Sequence, residues 1–104
     1  MKLYIDTSSA EKIVIGISES IHETDARQAK SQKLLPFIIE KLSESGKSFK
    51  DLTQIEVNTG PGSFTGLRVG VSVANALGWA LGIPVNGENI SEKNVISPTY
   101  FLTQ

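Results

Sequence analysis

The residues with chemical potential gather in two short stretches. Residues 58–70 read NTGPGSFTGLRVG: Gly60, Gly62 and Gly66 lie close together, beside Pro61 and directly ahead of an apolar run of helical character. A helix N-terminus offers unpaired backbone N–H groups and the positive end of the helix dipole, so such a loop suits an anion. Ser63 and Thr65 add hydroxyls. Two stricter templates fail, however. A Walker loop ends in Gly-Lys-Ser/Thr, whereas Gly66 is followed by Leu67 and Arg68. The dinucleotide fingerprint is G-x-G-x-x-G, whereas these glycines are spaced G-x-G-x-x-x-G. The competing reading is a tight strand-to-helix turn in which glycine gives the backbone room. The second stretch, Asp6-Thr7-Ser8, ends the first predicted strand. Its residue types suit either a metal-bound phosphate or a turn cap. Arg68 suits an anion or, as is commoner for a lone arginine, an acid across an interface.

Other chemistry has few carriers. His22 is the single histidine and there is no cysteine. A histidine metal set, a histidine-based triad, thiol catalysis and disulfides are all excluded. The lack of cysteine fits a reducing compartment, and a cytoplasmic location is expected. With 104 residues and a formal net charge of −1, the chain suits one domain with no global basic field for nucleic acid. Any RNA contact is therefore expected to be indirect, through a partner or a small local patch. An acid as early as Asp6 interrupts the apolar core that a secretory signal needs. Val69 to Gly87 carries no charge, but Ser72, Asn75, four glycines and Pro84 make it a buried helix rather than a membrane span.

The elements that must position these residues follow from periodicity. KLYID places Leu3 and Ile5 on one face, and KIVIGIS does the same for Ile13, Ile15 and Ile17. SIHETDAR reads as a polar edge strand, completing an antiparallel meander. A helix is predicted over about 31–45, with Leu34, Leu35, Ile38, Ile39 and Leu42 on the helical period, Gly46 as its cap and Pro36 as a bend. TQIEVNTG is then a strand, the glycine loop leads into a helix over 64–81, and IPVNG begins a last strand. The order β-β-β-α-β-α-β predicts an α/β domain with a mixed sheet of about five strands and two packed helices, the later strands pairing in parallel.

The second helix is apolar almost all round. Gly66, Gly70, Ala74, Gly78 and Gly82 recur every four residues, with Leu67, Val71, Leu77 and Leu81 beside them. Each interior glycine costs roughly 0.5–1 kcal/mol relative to alanine, so the strip predicts close approach of another backbone. Arg68, Ser72, Asn75 and Trp79 form the narrow polar line. Two covered sides are expected: one for the sheet, the other for the first helix of the same domain or for another chain.

The segment GPGSFTGLRVGVSVANALGWALGIPV, with IDTSS at the start and LLPFI on the first helix, resembles the TsaB (YeaZ) family over residues 1 to about 86. That resemblance implies an actin-like ATPase (RNase H-like) domain over 1–86, followed by a divergent or truncated tail over 87–104. It implies a noncatalytic subunit of the bacterial machinery that makes threonylcarbamoyladenosine in tRNA. Its expected partner is a TsaD-like catalytic subunit, with a homodimer when alone, and with no membrane association. TsaD binds metal through a His-x-x-x-His helix motif, and AKSQKLLP in the matching region has no histidine. Family members often carry histidine before the serine of the first helix, where this chain has Lys30. Members are also roughly twice this long, beyond one ordinary domain of this size. A nucleotide cleft between two domains is therefore not expected within one such chain.

These readings define the expected sites. The interface set is Leu34, Leu35, Ile38, Leu42, Arg68, Gly70, Val71, Ala74, Asn75, Gly78 and Trp79. The nucleotide or anion set is Asp6, Thr7, Ser8, Gly60, Gly62, Ser63 and Thr65. No catalytic or metal-binding residue is expected, and no cofactor, except ATP with magnesium at a site shared between two chains. The alternatives are half of a nucleotide-binding actin-like phosphotransfer enzyme and a self-associating structural module.

Overall fold

Alternating apolar residues build the sheet as expected. The computed structural model describes residues 1–27 and 29–98. Strands β1 (Lys2–Asp6), β2 (Lys12–Ile17) and β3 (Ser20–Asp25) form the antiparallel meander, and β4 (Gln54–Val57) joins β1 in parallel. The spatial order is β3-β2-β1-β4. Register puts Leu3 beside Ile17 and Ile55, and Ile5 beside Ile15 and Val57. These residues and Ile13 are buried on one face, beneath helices α1 (Lys30–Glu44) and α2 (Phe64–Leu81). Burying each such side chain stabilises by about 1.5–3 kcal/mol.

The fifth strand contracts to a single bridge. Val85 pairs in parallel with Ile55, the Ile55 N–H donating to the Pro84 carbonyl and the Asn86 N–H to that of Ile55. Asn86 and Gly87 then take φ of 50° and 80°, and the chain reverses through reciprocal Val85–Glu88 bonds. An Asn-Gly pair with two positive φ values favours such a two-residue turn. The Asn86 side chain occupies the next place on the sheet edge: its Oδ1 accepts from the Val57 N–H at 2.8 Å, and its Nδ2 donates to the Val57 carbonyl at 3.1 Å.

Residues 87–98 pack back on α2. The Asn75 amide exchanges two hydrogen bonds with the backbone of Ile96, and Ile90 packs against the core. The expected tail over 87–104 thus packs on α2 as far as residue 98, and its part over 99–104 lies outside the described residues.

Both helices end as their glycines predict. Gly46 (φ 72°) and Gly82 (φ 67°) are left-handed. Lys47 and Ile83 return their N–H groups to Leu42 and Gly78, which satisfies carbonyls the helix leaves open. Pro36 lies within α1 on its exposed side, so the backbone bond it removes lies toward solvent.

Candidate functional site

The glycine loop and the 6–9 turn fold on each other. Ser63 caps α2, its Oγ accepting from the Gly66 N–H at 3.2 Å. The Ser63 N–H itself donates to the Ser8 carbonyl at 2.8 Å, and the Gly60 N–H donates to Asn58 Oδ1 at 2.9 Å. Three amides of the expected cradle are therefore engaged within the chain. Gly62 is needed for contact: a Cβ there would lie 2.6 Å from that of Ser8.

Thr7 is fully buried. Its hydroxyl donates to the Gly66 carbonyl and accepts from the Gly70 N–H at 3.1 Å. The nucleotide-set residues thus come together, apart from the outward Thr65, as a packed joint between β1 and α2.

Asp6 organises the polar side of this joint. Oδ1 accepts from the Ser8 hydroxyl at 2.6 Å, the Ser8 N–H at 2.9 Å and Asn58 Nδ2 at 3.2 Å, while Tyr4 donates to Oδ2. Burial pushes the Asp6 carboxyl up, but these hydrogen bonds outweigh it and hold its pKa below the usual carboxylate range. Burial beside the Asp6 charge raises Tyr4. Burial lowers Lys30, against the pull of Asp6. The Lys30 ammonium donates to the Ser9 carbonyl, linking α1 to the same turn. Among the described residues no group of three histidine or acidic side chains is placed to hold a metal ion.

The helix pair corrects much of the expected interface. Leu34, Ile38 and Leu42 are core residues under α1, and Gly70, Val71, Ala74 and Gly78 are buried under α2. The small strip does permit close approach, but the approaching atoms belong to this chain. A side chain at Gly70 would strike Thr7, and one at Gly78 would meet Val85 at 2.5 Å and Ile90 at 3.1 Å. Asn75 is engaged with Ile96 rather than facing outward.

Leu35, Arg68 and Trp79 do reach the surface, at 39% exposure for Leu35 and 53% for Trp79. Ile39 (48%) and Phe64 (54%), which the sequence reading did not select as interface residues, join them. Ser31, Thr65, Arg68, Val69, Ser72 and Val73 line a groove of about 440 Å³ between the helices. Leu35 and Ile39 follow Ser31 at four-residue steps, so they continue the same side of α1. The Arg68 guanidinium lies 5.7 Å from the Phe64 ring centroid, at the range of a cation–π contact. The available signal was the width of the α1 apolar stripe: two adjacent lines, of which the core uses one. Among the described residues no helix is long and apolar enough to cross a membrane.

Comparison with known proteins places this arrangement. The family described as TsaD, tRNA N6-adenosine threonylcarbamoyltransferase, matches residues 15–99. The solved structure of YeaZ from Pseudomonas aeruginosa superposes with a TM-score of 0.70 and 30% identity, covering 81% of this chain and 41% of that one. The tRNA threonylcarbamoyladenosine biosynthesis protein TsaB of Bacillus subtilis is 34% identical over 71 residues, 68% of this chain and 31% of that protein. A tRNA N6-adenosine threonylcarbamoyltransferase of Nitrosospira multiformis is 45% identical over 67 residues, 64% of this chain and 19% of that protein. The chain thus spans less than a third of these two relatives and about two fifths of the solved structure.

Proposed function

The chain belongs to the TsaD family of tRNA N6-adenosine threonylcarbamoyltransferases and has the fold of YeaZ (TsaB); from that premise we propose that it is a noncatalytic, TsaB-like docking subunit in tRNA threonylcarbamoyladenosine formation. It docks on a TsaD-like catalytic subunit through the groove between α1 and α2. The carrying observation is that the two helices lining that groove leave Leu35, Ile39 and Phe64 exposed, with Trp79 exposed further along α2 beside Ile90. Large apolar side chains at the centre of a patch carry most of the energy of an interface, and charges at its rim steer the partner. Arg68 at the groove is the charge that an acidic group on the partner would meet.

The noncatalytic reading has its support in the Asp6 cluster. Its carboxylate, the Ser8 hydroxyl and the Asn58 amide bond to one another within the turn. Docking itself requires no cofactor. When the chain is alone, the same face pairs two copies, and tRNA is reached only through the partner.

Coexpression with the TsaD-like protein of the same source tests this reading. The tagged chain is expected to copurify with it, and Ile39→Glu to lose it while keeping its far-UV circular dichroism. Equal recovery with the folded glutamate variant would place docking elsewhere.

A further inference from the structure

We infer that Thr7 is a positioning residue for the docking face, setting the seat of α2 through a hydroxyl inserted at the helix's own hydrogen-bond ladder. In a regular α-helix the Gly70 N–H donates to the Gly66 carbonyl. Here the Thr7 hydroxyl bonds to both groups, donating to one and accepting from the other. Side chains or waters that enter the ladder in this way bend helices.

Three observations make the contact specific. Thr7 is fully buried at the end of β1, so the bridge joins the central strand to the first turns of α2. A Cβ at Gly66 would strike the Thr7 carbonyl, and one at Gly70 the Thr7 hydroxyl, so both glycines clear the same residue. Thr65, Arg68, Val69, Ser72 and Val73, the α2 side of the groove, lie within three positions of these two glycines. A small shift or rotation of α2 at Thr7 therefore moves the groove wall directly.

The inference rests on the docking reading, and its test separates the two. Thr7→Val keeps the shape and removes the hydroxyl, leaving the Gly66 carbonyl as the partner of the Gly70 N–H. Thr7→Ser keeps the hydroxyl. Thr7→Ala, which is smaller, replaces the valine variant if that one does not fold. Each full-length variant is titrated against the TsaD-like partner beside Trp79→Glu, and the Gly70 amide resonance is recorded. The expected result is binding weakened about tenfold and a displaced Gly70 resonance in Thr7→Val, with both restored in Thr7→Ser. If Thr7→Val binds like the parent while Trp79→Glu does not, the docking reading stands and the positioning role is overturned. If Trp79→Glu binds like the parent, the docking reading fails. An unmoved Gly70 resonance in Thr7→Val overturns the inference whichever way binding goes.

Discussion

At the scale of single residues, the consequential positions are those where this chain touches itself most closely. Gly70 has no space for a side chain beside Thr7. Gly70→Val is expected to destabilise the fold by about 1–3 kcal/mol through overpacking, read as a lower urea midpoint. The strip of small residues alone leaves open whether a bulky variant would disturb this domain or a contact with another chain. The structure places the contact within this domain, at Thr7 and Ile5, so the outcome is loss of stability. Asp6 gives a second prediction, on pH. Its folded pKa is held below the unfolded value of about 3.9. Its stabilising contribution is therefore present above that value and is lost as pH falls through the folded pKa. Thermal melts between neutral and strongly acid pH should show the parent losing stability more steeply below about pH 4 than Asp6→Asn. Identical slopes would remove Asp6 from the acid response.

Between elements, the sheet edge at β4 depends on one side chain. Asn86 makes two hydrogen bonds to the backbone of Val57 that a continuing strand would otherwise supply. Asn86→Ala is expected to cost about 0.5–1.5 kcal/mol, the net worth of a hydrogen bond at this part-buried edge. The Val57 amide should then exchange its hydrogen faster, and unchanged protection would show that the edge is held by other contacts. Much of the element plan was legible in sequence. The meander, both helices and both left-handed glycine caps follow from local periodicity and turn chemistry, and the parallel pairing of β4 from its helical crossover, whereas its partner, β1, does not. The last strand was not, because Asn86-Gly87 carries a hairpin-turn signal that outweighs the short apolar run before it. The direction of the glycine strip was not either. Spacing shows that α2 has a close neighbour, and only the register of β1 shows that the neighbour is Thr7.

At the scale of the whole molecule, helices cover one face of the sheet and turn an apolar groove outward. Of the eleven residues expected at the interface, three, Leu35, Arg68 and Trp79, are at the surface. The rest needed three dimensions, because a helix apolar on two adjacent lines does not declare which line the core takes. Calorimetric titration of the purified chain into a TsaD-like protein measures docking through Leu35, Ile39, Phe64 and Trp79. Saturable binding is expected, weakened by about thirtyfold in Trp79→Glu, the loss of an interface hot spot, with thermal stability unchanged. Binding that is undiminished in folded Trp79→Glu and Ile39→Glu would contradict docking through these residues.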